Sequence, residues 1–492
     1  MIATRDSELV IGLVAPVGAN LTSVTTVLED RFRHFGYSSQ VIRLSSLIRE
    51  LDGLETELKE EPYRDYLRSY QSAGNEARRK ADRGDFLALS AIYQIAQGRT
   101  PPTTPLNRVV HILHSLKHPD EVASLRQTYG PGFFLLGVHA PFQTRLEFLT
   151  LDKDIPEEEA KVILERDEDE SDDPFGQHTR DTFELCDAFI ALHRSDYKEE
   201  IWRLLDLLFG NPYITPTRDE YAMFLAYAAS LRSADLSRQV GAVIMSEAGE
   251  IISTGANDVP RFGGGLYWSD DGKNDQRDYK RGYDSNALRR NSMVIDVVRK
   301  LNPEEGSEND EQLLNRGKEL LRDTGLLDIT EFGRAVHAEM EAILSCTRAG
   351  ASPRNGILFC TTFPCHNCAK HIVAAGIKRV VYVEPYPKSQ AKRLHDDTIE
   401  IAAPANRDEP KVAFEPFAGV GPRRFMDLFS LRLSSGRRVI RNKGGMAVDW
   451  DRAKAQLRVP METISYLERE TLLVNELHQV LEGENADPKE TE

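Results

Sequence analysis

Two short stretches carry side chains whose types and spacing can do chemistry: His337-Ala338-Glu339 and, about 25 residues further on, Pro364-Cys365-His366-Asn367-Cys368. One imidazole and two thiolates make three ligands suited to zinc and leave a fourth tetrahedral position open, which goes with catalysis rather than with a structural site. Zinc in such a set lowers the pKa of water toward ~7, and a carboxylate outside the ligand set can take the proton and deliver it to a substrate. Glu339 fits that part.

The elements that must position these groups are legible nearby. Glu331 to Thr347 reads as a helix, with Val336, Met340, Ile343 and Leu344 forming an apolar stripe and His337 and Glu339 near its start. Ile357 to Thr361 reads as a strand running into Pro364, a residue suited to a helix start, and then into a helix closed by Gly376. Cys365 and Cys368, at i and i+3, share one face of that first turn, where the helix dipole favours the thiolate. H-x-E followed by P-C-x-x-C is the pattern of the zinc nucleobase deaminases.

The chain has 492 residues, 40% hydrophobic and 28% charged, enough for two or three domains with real cores and too apolar for a disordered chain. No apolar run reaches the ~18 to 20 residues of a membrane span, and MIATRDSELV lacks the layout of a secretory signal, so a cytoplasmic protein without a membrane partner is expected. Five cysteines are too few for a disulfide scaffold. Cys186, Cys346 and Cys360 read as small buried apolar side chains, and His111, His114 and His118, without a companion ligand, read as structural. A net charge of −16 argues against a surface that tracks a polyanion.

Apolar runs at 9–14, 39–43, 108–113, 133–138 and 187–192 alternate with helical stretches, which implies a parallel α/β sheet. From residue 218 the order changes to a helix, two strands in close succession, a polar Gly- and Asp-rich insertion at 263–290, then helix, strand, helix, strand. The expected fold class is α/β, with domains at 1–215 and 216–415 and an extension at 416–492. Asp152 to Asp173 holds twelve acidic residues against Lys153, Lys161 and Arg166 and reads as a solvated helix plus loop; the tail from Glu482 is acidic too. Arg423, Arg424, Arg432, Arg437, Arg438, Arg441 and Lys443 make 414–443 the most basic stretch, either a phosphate binder or a face that docks on the acidic first domain.

After the first strand, Gly12 to Thr22 (GLVAPVGANLT) looks like a phosphate loop opening a helix, with Gly12, Gly18 and Thr22 as its remnants. Aligned on G-x-x-x-x-G-K-[ST], the glycines become Ala15 and Asn20 and the lysine becomes Leu21, so the cradle and its cation are missing and nucleotide-kinase chemistry is not expected.

Asp235 to Pro260, His337 to Ile343 and Thr361 to Tyr386 resemble the deoxycytidylate deaminase branch of the cytidine deaminase superfamily. That resemblance implies an α/β/α sandwich, zinc on His337, Cys365 and Cys368, Glu339 as proton shuttle and Asn257 at the sugar of the nucleotide; on local grounds Asn257 also reads as a turn former. Joined to a P-loop-kinase-like first domain with SLKHPDEVASLRQTYG and GVHAPFQTRLEFL, the chain resembles the AvcD/DcdV-type phage-defence deaminases. The resemblance implies a hydrolase that deaminates dCTP and dCMP, feedback by dTTP or dCTP with 263–290 as the candidate effector loop, restraint by a small inhibitory RNA, and a homo-oligomer with a hexamer as the candidate assembly. Two other readings share the zinc chemistry: a deaminase of cytosine or adenine in RNA or DNA, and a housekeeping dCMP deaminase. A regulatory binding protein with a residual zinc site is disfavoured by the intact Glu339.

Overall fold

Leu9–Val14 (β1), Val109–His114 (β3) and Phe133–His139 (β4) are apolar runs with almost every residue buried, as strands covered on both faces must be. With Ser38–Arg43 (β2) and Ala188–Ala191 (β5) they form a parallel sheet in the order β5-β4-β1-β3-β2, each crossover carrying helices. All five expected strands are present, and His111 and His114 lie on β3. The computed structural model describes residues 7–101, 104–168, 170, 173–301, 309–322, 324–384, 389–401, 411–434, 436–461 and 463–484. Asp169, Asp172 and the acidic tail beyond 484 lie outside the described residues.

The chain divides into two units, one formed by residues up to Glu220 together with those from Pro416 onward, the other by Tyr221–Glu415. The C-terminal segment completes the first unit: Gly419–Val420 pairs antiparallel with β5 at the sheet edge. Arg424 donates to the carbonyls of Pro131 and Phe133, and Arg441 to the carbonyl of Pro212. At least these two arginines of the basic stretch dock on the unit's own backbone.

The second unit is built on a mixed sheet. Gly241–Met245 (β6) pairs antiparallel with Ile251–Ala256 (β7) and with Ile357–Thr362 (β8), and β8 runs parallel to Arg379–Glu384 (β9). Helix Ala338–Ala349 packs on β6 and β7, and its contact with β7 is through backbone: a Cβ on Gly255 would meet the Ala338 carbonyl oxygen at 2.1 Å and the Ala342 nitrogen at 2.5 Å. Only glycine allows that approach.

Three expectations need correction. The zinc-site helix starts at Ala338 and not at Glu331, because Val336 forms a β-bridge with Asp258 that holds the preceding residues extended. Pro364 precedes the cap of the second helix, which begins at His366. The 263–290 insertion is not a structureless loop: it holds a 3-10 helix at Ser269–Asn274, a helical turn at Asp278–Arg281 and the start of helix Ser285–Leu301. Its anchor is Arg277, 4% exposed, which grips Asp275 through two nitrogens at 2.8 and 3.0 Å and faces Asp258 at 3.6 Å.

Candidate metal and catalytic site

Two helix N-termini converge in the second unit. His337 is the N-cap of Ala338–Ala349, with extended backbone (φ −66°, ψ 150°), and Cys365 is the N-cap of His366–Ala374 (φ −67°, ψ 164°), with Cys368 three residues on. The caps are where the chain turns out of helical geometry, so their side chains swing across the helix ends into the positive end of each dipole. His337 Nδ1 lies 3.4 Å from Cys365 Sγ and 3.3 Å from Cys368 Sγ. Ligands at ~2.3 Å (S) and ~2.0 Å (N) around a tetrahedral zinc stand about 3.6 Å apart, so the three atoms fit one ion. This is the group of three or more metal-ligand side chains found among the described residues, with all ligand atoms within 4.8 Å of one another.

The electrostatics single out Cys365 as the thiolate of the group. Hydrogen bonding from Cys368 and His337, against burial, holds the Cys365 thiol down to about 3; its thiolate in turn holds the His337 imidazole up to about 9. The Cys368 thiol is pushed well up by Cys365 and by burial. Glu339 is 4% exposed, and burial raises its carboxyl above the ordinary range although the His337 charge works the other way. A buried carboxyl with a raised pKa beside an open metal position can both accept and return a proton.

Asn257 is 8% exposed and its amide is engaged on both sides: Oδ1 accepts the Val240 N–H at 2.7 Å and Nδ2 donates to the Arg238 carbonyl at 2.8 Å. It therefore shapes the loop at 238–240. Arg238, overlooked in the sequence, projects charge onto His337, Glu339's neighbour, and onto Cys360; its only sequence signal is its place between Asp235 and Gly241. Gly255 was overlooked as well. Cys346 and Cys360 are fully buried, and Cys346 Sγ lies 3.2 Å from Ser253 Oγ, apart from the ligand set.

The remnants of the phosphate loop belong to the first unit. Gly12 lies inside β1, where a Cβ would strike Leu116 and Leu135 at 2.6 and 2.8 Å, so it serves packing. Gly18 is in the loop with φ +83°, and Thr22 is exposed in the first turn of Leu21–Arg33, the helix capped by Asn20 Oδ1 on Ser23 N–H.

Residues 216–384 match the family model for the cytidine and deoxycytidylate deaminase zinc-binding region. The deoxycytidylate deaminase of Enterobacteria phage T2 is 39% identical over 80 residues, 16% of this chain and 42% of that protein. That of Saccharomyces cerevisiae is 28% identical over 208 residues, 41% of this chain and 49% of that protein. ComE operon protein 2 of Bacillus subtilis is 43% identical over 65 residues, 13% and 34% of the two chains. The chain thus spans less than half the length of each of these three relatives. Among solved structures, the dCMP deaminase of cyanophage S-TIM5 in complex with dCMP and dUMP aligns with 41% of this chain and 99% of its own, at 20% identity and a TM-score of 0.22. A shikimate kinase from Acinetobacter baumannii aligns with 42% and 97%, at 12% identity and a TM-score of 0.26. No helix among the described residues is long and apolar enough to cross a membrane.

Proposed function

We propose that this chain is a zinc-dependent hydrolase that deaminates free deoxycytidine nucleotides, dCTP or dCMP, to the deoxyuridine nucleotides. The observation that carries the reading is the convergence of His337, Cys365 and Cys368 on one ion-sized position beside the buried Glu339. His337, Cys365 and Cys368 would hold zinc, which supplies Lewis acidity toward water. Glu339 carries one proton from the attacking water to the ring nitrogen, then takes the second from the new hydroxyl on C4 and delivers it to the departing amine. The water oxygen ends on C4, the C4–N bond breaks, and ammonia leaves. Asn257, by fixing the Arg238–Val240 loop, orients the nucleotide's sugar against that position.

The two-domain order, kinase-like fold followed by deaminase region, supports a cytoplasmic defence role in which the enzyme empties the deoxycytidine nucleotide pool during phage infection, with a small RNA restraining it beforehand. The same reading, from the family resemblance, includes assembly as a homo-oligomer and control by dTTP or dCTP, with 263–290 as the candidate effector segment; its Arg277 anchor faces Asp258, next to Asn257 in sequence.

The test is incubation of the purified zinc-loaded protein with dCMP, dCTP, CMP, CTP and a cytosine-containing oligonucleotide, each product followed by mass. Deoxyuridine nucleotides should dominate. Uracil appearing mainly in the oligonucleotide would overturn the reading.

A further inference from the structure

In an open parallel sheet, ligands bind in the crevice outside the carboxyl ends of the strands, where the strand order reverses. In the first unit that crevice lies beyond β1, β2 and β3, and a cavity of about 460 Å³ opens there, within the ~300–1,000 Å³ usual for small-molecule sites. Helix Tyr63–Lys80 presents one face to it: Tyr63, Tyr66, Tyr70, Gln71 and Arg78 all line the cavity.

Polar atoms on this cavity have no hydrogen-bond partner among the described residues. Gln71 is 7% exposed, and neither its amide nitrogen nor its amide oxygen has a hydrogen-bond partner. Arg78 Nε and His114 Nε2, on the same cavity, are unpartnered too. A buried polar group without a partner costs about 1–3 kcal/mol, so three of them around one cavity, two on the helix and one on β3, mark a place where a ligand completes the hydrogen bonds. A primary amide offers one donor and one acceptor side by side, the complement of the donor–acceptor edge of a nucleobase. Tyr66, stacked on Tyr63 with centroids 5.6 Å apart, supplies aromatic surface beside it.

The phosphate loop also borders this cavity, but one of its donors and the neighbouring lysine are already engaged by an internal anion. The Asp167 carboxylate, fully buried, accepts the Val17 N–H and the Lys117 ammonium. Two other cations on the cavity have no carboxylate partner among the described residues: Arg43, at the end of β2, and Lys153, held over the rings of Tyr63 and Phe148. Two cations match one phosphate dianion. We infer that this cavity binds a nucleoside 5′-monophosphate, its base edge read by the Gln71 amide and its phosphate held by Arg43 and Lys153.

The test is calorimetric titration of the full-length chain with the eight common ribo- and deoxyribonucleoside 5′-monophosphates, the parent nucleosides and inorganic phosphate. At least one monophosphate should bind, at least tenfold more tightly than its nucleoside or phosphate. Gln71→Leu should weaken that binding tenfold or more while melting no lower than the parent chain, because an unpartnered amide is removed. Arg43→Ala, at an exposed position, should weaken the monophosphate and leave the nucleoside unchanged. Both variants should keep the deamination rate, which separates this site from the zinc site. Monophosphate binding indifferent to Gln71→Leu, binding of phosphate alone, water as the only occupant, or a lowered melting temperature for Gln71→Leu would overturn the assignment.

Discussion

The Asp167 carboxylate sits on the Val17 backbone N–H at 2.8 Å, with its other oxygen 2.7 Å from Lys117 Nζ. An internal anion thus occupies a donor of the loop after β1 and neutralises the lysine nearest it. In a working phosphate loop those backbone donors and a lysine grip the nucleotide's phosphates. Here Ala15 and Asn20 replace the glycines, Leu21 the lysine, and a carboxylate the phosphate. Purified protein should therefore transfer no label from γ-labelled ATP to any deoxynucleoside monophosphate. Turnover that disappears in Thr22→Ala would show that the loop is catalytic after all.

Ligand and shuttle separate by metal content. Cys365→Ala or Cys368→Ala should lose zinc, since a three-ligand site keeps too few donors after one is removed. Glu339→Ala should retain about one zinc per chain and lose roughly 10²- to 10⁴-fold in kcat, the usual contribution of a positioned acid–base group. Mass spectrometry of the native protein and elemental analysis read both; full zinc in either cysteine variant would sink the ligand assignment.

Gly255→Ala tests how the site is positioned. The new Cβ would fall 2.1 Å from the Ala338 carbonyl oxygen, between His337 and Glu339 in sequence. Backbone cannot yield as a side-chain tip does, so the helix must shift, and misplacement by about 1 Å costs on the order of 100-fold in rate. The variant should bind zinc more weakly and lose activity, whereas Gly263→Ala, at a glycine with open space around it, should keep both.

The His337, Cys365 and Cys368 group was legible because its chemistry is local: a cap, an i,i+3 pair and a short strand state themselves in sequence. Strands β1, β3, β4 and β5 of the first sheet were legible as buried apolar runs, and β2, largely exposed at the sheet edge, from its place in the alternation of strands and helices. What escaped depends on partners far along the chain. Residues 331–337 have helical apolar spacing, but the bridge from Val336 to Asp258 overrides it. The 263–290 segment has loop composition, but burying Arg277 between two aspartates folds it into short helices. Asp167 belongs to a run that reads as solvated, and it is fully buried because Val17, 150 residues away in sequence, offers it a donor. The unpartnered amide of Gln71 leaves no trace in composition or periodicity.

The last prediction concerns acid stability of the first unit. Arg99, fully buried, holds Glu8 through two nitrogens at 3.0 and 2.9 Å and also grips Glu470 on the C-terminal helix Thr463–Glu484, while the Tyr466 hydroxyl donates to Glu8. One guanidinium cannot neutralise two carboxylates equally. Burial alone would raise Glu8, but the His111 imidazole 3.5 Å away, the hydrogen bonds from Arg99 and the Arg99 charge outweigh it and hold the carboxyl at about 2. Glu470 goes the other way, raised by burial, so it takes up a proton first on acidification and does so without loss of stability. Because the folded pKa of Glu8 lies below its ordinary 4.5, its contribution is present above pH 4.5 and is lost as pH falls toward 2. His114 adds an earlier step: burial, with Arg43 and Lys117, lowers it from 6.5 to about 4, so the fold holds it neutral and loses stability as pH falls from 6.5 to 4. Urea midpoints followed through Trp202 and Trp450, in a Trp268→Phe background, should decline in both windows. His114→Asn should flatten the first and Glu8→Gln the second, the latter at a cost of about 3 kcal/mol near neutrality for breaking a buried ion pair. A midpoint that stays level from pH 6.5 to 3 in the parent chain would refute both assignments.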